Sequence, residues 1–284
     1  MQNKKMILIV CNYKKNGAKD IADEMNTFLI RHGYKTVYIT HEELDDYDIT
    51  GDYQLVITLG GDGTVLAAAR KLVQLDIPVL AVNFGTIGFM TEVEKDRWKE
   101  ALTFFVAGNY QCRKHMMLDV SVIRDGQVID CGSVLNEGVL NSPDSKLLRH
   151  SVKIGDALLG KYLSDGLIVS TTTGSTAYSS AAGGPIVYPD LETVIITPIC
   201  PYSYIVRPVV VTPDRKIYVS LESGSSSTIL ILDGQKRIML EPEDTVVFEK
   251  SECKVRIITL PGSEARFYSR LSDRMSLRGA VYDR

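Results

Sequence analysis

Residues 54–69 read QLVITLGGDGTVLAAA, and this stretch decides how the first part of the chain folds. Residues 54–59 are a short apolar run rich in Leu, Val and Ile, which predicts a buried strand. A glycine turn at 60–63 follows, and the residues from 65 onward favour a helix. A strand, a glycine turn and a helix in this order direct backbone N–H groups and a helix N-terminus toward an anion.

The glycine turn contains a carboxylate, Asp62, which would repel a phosphate held in the same cradle. We therefore expect Asp62 to contact a metal ion or to accept a proton from a hydroxyl, which indicates phosphoryl transfer to an alcohol. Gly60, Gly61 and Gly63 are expected to let the backbone approach a ligand with positive φ. Thr64 is expected to be the helix N-cap. Taken alone, the GGDG turn is equally consistent with a plain tight turn.

Outward from this stretch, the first hundred residues alternate between strand and helix signals. Strands are predicted at 6–10, 35–39, 54–59 and 78–82, and helices at 18–30 and 65–72. The first helix has an apolar stripe at Ile21, Met25, Phe28 and Leu29. This alternation predicts an α/β domain with a parallel sheet, in which ligands bind beyond the C-terminal ends of the strands.

Beyond residue 110 the strand signals follow one another almost without helices. They lie at 117–124, 127–135, 151–154, 166–170, 193–197, 205–211, 216–221, 228–232, 235–240, 245–249 and 253–259. Asp125-Gly126 and Asp233-Gly234 are typical hairpin turns, so a mostly antiparallel β-sandwich-like domain is predicted. One helix is expected at about 175–182. We expect domains at 1–110 and 111–261, with 262–284 returning to the first.

The composition excludes several classes of function. A net charge of −3 gives no support to nucleic-acid or membrane binding, and no apolar run is long enough to span a bilayer. The first apolar run stops after residue 10, which predicts a strand and not a signal peptide. The five cysteines form no C-x-x-C pair and the four histidines show no metal-ligand spacing. A cytoplasmic protein is therefore expected.

Three further segments combine glycines with polar side chains. Residues 83–90 read NFGTIGFM, a second glycine loop whose Phe84 or Phe89 is suited either to stacking on a base or to core packing. Residues 135–138 read LNEG, where an amide beside a carboxylate suits ribose hydroxyls or simply a turn cap. In residues 164–185 a strand leads into a loop rich in hydroxyls and then a short helix, which could bind an anion or the polar edge of a base. The non-functional alternative is a strand end followed by a capped helix.

With these residues in view, the chain resembles the NAD kinases over roughly residues 54–240. The matching motifs are GGDGT at 60–64, the N-x-G-x-x-G-F loop at 83–89, NE at 136–137, DG at 165–166, TGSTAY at 173–178, GGP at 183–185 and DGQ at 233–235. GGDG alone is shared with lipid kinases and phosphofructokinases. TGSTAY together with NE is far more specific.

The resemblance implies a role for each matching residue. Asp62 would be the catalytic base, and Gly60, Gly61, Gly63 and Thr64 would bind phosphate or nucleotide. The residues implied in NAD binding are Phe89, Asn136, Glu137, Lys146, Asp165, Thr173, Thr176, Ala177, Tyr178, Ser179 and Gln235. No metal ligand is assigned, and Asp62 is the one candidate for contact with Mg²⁺.

The family also implies partners. NAD would be phosphorylated on its adenosine-ribose 2′-hydroxyl, with ATP or polyphosphate as donor and Mg²⁺ as the divalent metal. A homodimer or homotetramer with NAD sites near the interface is expected. Thr172 stands where the family commonly has Pro, and Leu163 where relatives often have a polar residue. Residues 201–206 (PYSYIV) also depart from the family and are expected to line the site or an interface.

Two alternative functions remain open from the sequence. A lipid or diacylglycerol kinase would share GGDG, but it needs an apolar acceptor channel or a membrane-facing surface, and the chain offers no basic amphipathic helix for that. A dinucleotide-binding sensor without catalysis would keep the pocket, but the presence of Asp62 argues against it.

Overall fold

A computed structural model of the chain describes residues 5–44, 46–72, 75–85, 88–144, 146–223 and 227–279, with side chains up to residue 275. The chain divides into two units. The α/β unit comprises the described residues up to Lys114 and those from Val255 onward, and the β-rich unit comprises His115–Lys254.

A parallel sheet forms the centre of the α/β unit. Its strands are β1 (Met6–Cys11), β2 (Lys35–Thr40), β3 (Tyr53–Gly60) and β4 (Val79–Asn83), in the order β4-β3-β1-β2. The short β5 (Val93–Glu94) pairs with β4. β1, β3 and β4 are nearly continuous apolar runs, as expected where helices cover a parallel sheet on its faces, whereas only Ile39 is buried in the edge strand β2.

The helical elements of this unit are α-helices, which bury apolar side chains, and a 3₁₀ turn, which buries none. They are α1 (Ala18–Arg31), α2 (Asp62–Leu72), a 3₁₀ turn (Lys95–Arg97), α3 (Trp98–Val106) and α5 (Ser263–Gly279). On α1 the fully buried residues Ala18, Ala22, Met25 and Leu29 follow the helical period. The chain leaves α1 through Gly33, at φ +85°. Arg270 on α5 lies 3.0 Å from Glu94, which ties this helix to the end of β5.

An antiparallel six-stranded sheet forms one layer of the β-rich unit. Its order is β13-β12-β11-β8-β15-β16. The strands are β8 (Glu137–Asn141), β11 (Gly166–Thr171), β12 (Val194–Ile199), β13 (Val209–Val211), β15 (Thr228–Leu232) and β16 (Lys236–Leu240). β8 and β11 lie in the middle of this sheet, so the residues at their ends are held on both sides.

The second layer of the β-rich unit is also antiparallel. It contains β6 (Gln111–Arg124), β7 (Gln127–Val134), β9 (Leu148–Ile154), β10 (Ala157–Ser164), β14 (Ile217–Leu221) and β17 (Thr245–Thr259). The unit boundaries fall within β6 and β17. One hydrophobic core takes alternate residues from both layers, for example Leu140 and Phe248. The predicted fold class, a parallel α/β part and an antiparallel sandwich, is confirmed.

Several element predictions are wrong in their bounds. In place of one helix over 175–182, Thr173–Thr176 form a 3₁₀ turn and Tyr178–Ala181 form the single-turn α4. The Ser175 hydroxyl bonds both backbone groups of Val187, a tertiary contact that competes with helix formation. Residues 205–208 lie outside β13, where Pro208 has no N–H for a ladder.

The other errors concern continuity and missing elements. The two strands predicted at 245–249 and 253–259 are the single strand β17. The predictions lack α3, β5, β8 and β10, although α3 carries an apolar stripe at Trp98, Ala101, Leu102 and Phe105. Glu137 begins β8 and does not lie at the end of a strand. Within the described part of the chain, no helix combines the length and apolar character needed to cross a membrane.

The core of the β-rich unit generates a stability prediction at Gly138. A β-carbon at this position would lie 2.5 Å from Cε1 and 2.9 Å from Cζ of the buried Phe248 ring. We expect Gly138→Ala to lower the free energy of unfolding by about 1–3 kcal/mol, because the ring must move in a close-packed core. Urea denaturation of the purified variant measures this.

A double variant separates the clash from other effects of the substitution. Gly138→Ala combined with Phe248→Leu should lose less stability than the sum of the two single variants, because Leu leaves room for the new methyl group. Strict additivity would contradict the proposed contact.

Candidate functional site

In the α/β unit the glycine turn joins β3 directly to α2. Gly60 ends β3 and α2 begins at Asp62, so Thr64 lies inside the first helical turn and the N-cap prediction for it is wrong. A β-carbon on Gly60 would lie 2.2 Å from the Thr64 hydroxyl oxygen. A β-carbon on Gly61 or Gly63 would instead meet open space.

Only Gly60 is therefore required by a close approach within the protein, and the expected positive φ is not observed at any of the three glycines. Gly60 makes room for Thr64. Gly61 and Gly63 leave the N-terminal end of α2 uncovered by side chains, which suits an anion at a helix N-terminus.

Asp62 is held by three consecutive backbone N–H groups from the loop between β4 and β5. Phe89 donates to Oδ2 at 2.9 Å, and Met90 and Thr91 donate to Oδ1 at 3.1 and 3.2 Å. A carboxylate has about four lone-pair positions, and among the described residues no fourth donor occupies the position that remains on Oδ2. Asp62 is thus fixed in place with capacity for one further hydrogen bond.

Gly88 allows this loop to reach Asp62. A β-carbon at Gly88 would lie 2.5 Å from Oδ1 of Asp62 and 2.3 Å from the Thr91 hydroxyl oxygen. This close approach explains why the second glycine of the segment at 83–89 has no side chain. Residues 86 and 87 of that segment lie outside the described residues.

Backbone hydrogen bonds gather three loops at one edge of the parallel sheet. After β1, the Asn12 N–H donates to the Leu59 carbonyl at 2.9 Å, and after β4 the Phe84 N–H donates to the Gly60 carbonyl at 2.9 Å. Lys15 belongs to the same edge, with its ammonium 3.5 Å from the position of a β-carbon on Gly85. The C-terminal strand ends therefore bring together a glycine turn, a carboxylate and a cation.

The Phe89 side chain packs within the α/β unit. Its ring lies 5.8 Å from the Phe267 ring on α5, at an interplanar angle of 61°. The Arg274 guanidinium lies 5.4 Å from the centre of the Phe89 ring. These contacts hold Phe89 half-buried against the C-terminal helix.

In the β-rich unit the turn before β8 is fixed by a second carboxylate. Oδ2 of Asp233 accepts the Leu135 N–H at 2.8 Å, and Oδ1 accepts the Asn136 and Glu137 N–H groups at 2.8 and 3.0 Å. The Asp233 N–H in turn donates to the Glu137 carbonyl at 2.9 Å. Asp233 comes from the hairpin between β15 and β16, almost one hundred residues further along the chain.

The carbonyl groups of the same turn are bound from the opposite neighbour, β11. The Thr171 hydroxyl donates to the Leu135 carbonyl at 2.5 Å, and the Thr171 N–H donates to the Asn136 carbonyl at 2.8 Å. A β-carbon on Gly174 would lie 2.3 Å from the Asn136 carbonyl oxygen. The backbone polar groups of this turn are therefore satisfied by the protein itself.

The side chains of the turn are left with unsatisfied oxygens. Asn136 and Glu137 are each only 7% exposed. Oδ1 of Asn136 and Oε2 of Glu137 are buried without a hydrogen-bond partner. A buried polar atom without a partner is costly, and such atoms are generally explained by a water, an ion or a ligand.

Burial also changes the protonation of Glu137. Desolvation and, secondarily, the charge of Asp233 raise the pKa of Glu137 to about 8, while a hydrogen bond from the Tyr178 backbone opposes this rise. Glu137 therefore carries a proton at neutral pH and can donate a hydrogen bond as well as accept one.

The hydroxyls of the segment after β11 are mostly engaged inside the protein. The Thr173 hydroxyl lies 3.0 Å from Nδ1 of His115, and the Thr176 hydroxyl donates to the Thr173 carbonyl at 3.3 Å. The fully buried Ser179 hydroxyl lies 3.0 Å from that of Thr197. These contacts fix the loop that follows β11 next to Asn136.

The remaining predicted residues lie in the β-rich unit and are more accessible. Lys146, Asp165, Tyr178 and Gln235 are exposed, and Ala177 is partly exposed. Tyr178 begins α4, and Gln235 follows Asp233-Gly234 in the hairpin turn. The structure thus places Gly60–Thr64 and Phe89 in the α/β unit and all the other predicted residues in the β-rich unit.

Sequence reasoning missed the positioning groups: the amides at 89–91, Thr171, Gly174 and the Asp233 carboxylate. Gly174 lies in the TGSTAY motif and Asp233 in the DGQ motif and its hairpin turn, but neither motif predicts which backbone groups these residues contact.

The side chains offer few ligands for a resident metal ion. Among the residues that the structure describes, no three His, Cys, Asp or Glu side chains come together as a ligand set. At the glycine turn, the position that remains on Asp62 can accept either a hydroxyl or a Mg²⁺ ion whose other ligands are phosphates and water, since Mg²⁺ commonly binds one or two carboxylates beside substrate phosphates.

Family models and similar sequences agree on one family. The model for the ATP-NAD kinase N-terminal domain matches residues 41–110, and that for the ATP-NAD kinase C-terminal domain matches residues 135–260. The NAD kinase of Natranaerobius thermophilus is 34% identical, covering 94% of this chain and 96% of that protein. The NAD kinase of Lachnoclostridium phytofermentans is 36% identical, with coverages of 91% and 95%.

Solved structures share the fold. Yeast NADH kinase, solved in complex with NADH, superposes with a TM-score of 0.84 at 23% identity, covering 96% of this chain and 89% of that one. The NAD kinase of Archaeoglobus fulgidus, solved with ATP, gives a TM-score of 0.76 at 24% identity, with coverages of 94% and 98%. Together with the family models and the sequence identities, the motifs of both units place this chain in the NAD kinase family, a family of phosphotransferases.

Proposed function

We propose that this protein transfers the γ-phosphoryl group of ATP to the adenosine-ribose 2′-hydroxyl of NAD, giving NADP and ADP. The observation that carries the proposal is the Asp62 carboxylate, fixed by three N–H groups beside an open glycine turn and left with capacity for one more hydrogen bond. That is the arrangement a proton acceptor for a hydroxyl requires.

The proposed reaction needs one protein group that takes part directly, the Asp62 carboxylate. The ribose oxygen forms a bond to the γ-phosphorus, the bond from that phosphorus to the bridging oxygen breaks, and ADP leaves. The hydroxyl proton goes to Oδ2 of Asp62. Because a hydroxyl is a weak nucleophile at neutral pH, most of the work is to align it with the phosphorus.

The α/β unit supplies groups suited to the donor phosphates. We propose that the uncovered N-terminus of α2 and the Lys15 ammonium bind them, since both carry positive charge at the same sheet edge. Mg²⁺, when bound with ATP, would neutralise the triphosphate. Asp62 keeps one lone-pair position, which we assign to the ribose hydroxyl, so the metal's ligands would be phosphates and water.

The β-rich unit supplies groups suited to the dinucleotide. We propose that Asn136 and Glu137 bind hydroxyls of the adenosine ribose, which would satisfy their unpartnered oxygens. By family resemblance, Thr173 and Thr176 serve the adenosine half, and Asp165, Ala177 and Tyr178 the nicotinamide half. Phe89, Lys146, Ser179 and Gln235 complete the proposed set.

We further propose a homo-oligomer located in the cytoplasm. Tyr202, Tyr204 and Ile205 are 79%, 84% and 71% exposed in one short segment, and apolar side chains exposed together commonly mark an interface. The cysteines, all within the described part of the chain, are free thiols, which suits a reducing compartment.

Asp62→Asn tests the proposed function. Turnover of NAD and ATP to NADP should fall by about 10²–10⁴-fold, because an amide cannot accept the hydroxyl proton and its NH₂ group would also face a backbone N–H donor of residues 89–91. NAD affinity, measured by calorimetry, should remain within the same order of magnitude. Asp96→Asn, at a 3₁₀ turn of the same unit, is the control and should behave as wild type. Near-normal NADP formation by Asp62→Asn would remove the base role from Asp62.

Glu137 generates a pH prediction for the ligand-free protein. Its folded-state pKa of about 8 lies above the ordinary value of 4.5, so the folded state keeps a proton that the unfolded chain has lost. The Glu137 contribution to stability is therefore full below pH 4.5 and declines as the pH rises through 8. From pH 6 to 8, the free energy of unfolding of wild type should fall by up to about 1.4 kcal/mol per pH unit more than that of Glu137→Gln.

Denaturation curves at several pH values measure this difference. Glu192→Gln is the matched control, because Lys250 and Lys254 lower the pKa of Glu192 and keep its titration out of this window. That control should follow the wild-type slope. Parallel curves for wild type and Glu137→Gln would show that Glu137 does not hold its proton in the folded state.

The exposed segment that contains Tyr204 and Ile205 generates a prediction about the oligomeric state. Light scattering should give wild type the mass of a dimer or tetramer, and the double substitution Tyr204→Ser with Ile205→Ser should shift it toward the monomer. Met239→Ser, which also removes an exposed apolar side chain from the β-rich unit, should keep the wild-type mass. A monomeric wild type, or an oligomer unaffected by the double substitution, would contradict the proposed interface.

A further inference from the structure

We propose that Asp233 is a positioning residue for the dinucleotide: its carboxylate holds the 135–137 turn so that the Asn136 and Glu137 side chains present their free oxygens to the ribose. The inference rests on the proposed NAD kinase function. Asp233 itself need not touch the substrate.

The geometry gives Asp233 four hydrogen bonds to one short turn. Its two carboxylate oxygens accept the three N–H groups of residues 135–137 at 2.8 to 3.0 Å, and its own N–H donates to the Glu137 carbonyl at 2.9 Å. Thr171 binds the carbonyls from the other side. A turn bound this way has little freedom to rotate, so the two side chains that it carries have a fixed direction.

The chain contains an internal comparison that separates this role from ordinary turn formation. Asp125-Gly126 joins β6 to β7 with φ of +49° and +76°, and Asp233-Gly234 joins β15 to β16 with φ of +48° and +70°. Both are Asp-Gly hairpin turns with left-handed residues. Asp125 is exposed, whereas Asp233 is only 7% exposed and directs its carboxylate at the turn before β8. Hairpin formation therefore does not explain the burial of Asp233.

The charge of Asp233 has a second effect on the same turn. It adds to desolvation in raising the pKa of Glu137, and the Tyr178 backbone hydrogen bond opposes it. Asp233 thus helps to keep the proton on Glu137 while it fixes the backbone of that residue.

An amide at position 233 would remove both effects and preserve the turn. Asn adopts left-handed φ as readily as Asp, so the hairpin should form. Asn has only one carbonyl oxygen, and its NH₂ group would face at least one backbone N–H donor in place of an acceptor. The 135–137 turn should then loosen, and its side chains should lose their fixed direction.

The experiment compares Asp233→Asn with the matched control Asp125→Asn in the full-length protein. For Asp233→Asn we expect the Kd for NAD, measured by calorimetry, and the KM for NAD to rise by at least about tenfold, since buried hydrogen bonds are lost. The KM for ATP should stay the same. Asp125→Asn should match wild type in all three constants. An unchanged Kd for NAD in Asp233→Asn would overturn the proposal.

A pH profile distinguishes positioning from general damage. NAD affinity of wild type should decline as Glu137 loses its proton, and the pH of that decline should be lower in Asp233→Asn, because the negative charge that raises the pKa of Glu137 is gone. Simple destabilisation would lower affinity without moving this pH. An unmoved pH of decline would therefore count against the role of Asp233.

Hydrogen exchange gives a readout that needs no ligand. Amide exchange in the peptide that covers residues 135–141 should accelerate in Asp233→Asn and stay at the wild-type rate in Asp125→Asn. A wild-type protein that forms no NADP would contradict the proposed function. Unaltered exchange in Asp233→Asn would instead contradict the positioning role of Asp233.

A second variant covers the case in which Asp233→Asn does not fold. Asp233→Glu keeps two carboxylate oxygens on a longer arm, so it should show a measurable but smaller loss of NAD affinity. Wild-type affinity and wild-type exchange in Asp233→Glu would overturn the proposal.

Discussion

Each unit contains a carboxylate that accepts hydrogen bonds from three consecutive backbone N–H groups, and the candidate sites depend on these contacts. Asp62 accepts the N–H groups of residues 89–91, and Asp233 accepts those of residues 135–137. In both cases the carboxylate and the amides are distant in sequence. Each contact joins two loops, so neither loop reaches its position unless the strands that carry it are in register.

The two carboxylates have different consequences because different atoms are left unsatisfied. At Asp62 the free position is on the carboxylate itself, which can therefore meet a hydroxyl. At Asp233 the free atoms belong to the side chains of the turn that it holds, Asn136 and Glu137. The arrangement at Asp62 is suited to accepting a proton, and the arrangement at Asp233 is suited to holding a substrate. Burial adds the proton on Glu137, which lets a carboxyl group donate as well as accept a hydrogen bond.

Much of the fold could be predicted because many of its strands and helices follow the local spacing of apolar residues. The run at 54–59 and the stripe on α1 are visible in the sequence, and the structure has β3 and α1 there. Errors arose where tertiary contacts outweigh local preference. Ser175 bonds to Val187, and the helix expected there is reduced to short turns. At the glycine turn the expected positive φ is absent, and Gly60 instead makes room for the Thr64 side chain.

By itself, the sequence determined the alternation of strands and helices up to about residue 82, the change to strands beyond residue 110, the glycine turn with its single carboxylate, and the motifs that identify the NAD kinase family. These features depend on residues close together in the chain, so spacing is enough to read them. Only the tertiary structure decided which amides bind Asp62, which oxygens of Asn136 and Glu137 stay unsatisfied, and that Asp233 turns inward while Asp125 turns out. Those outcomes are set by the direction of side chains between segments far apart in sequence, and directions of that kind exist only once both sheets have formed.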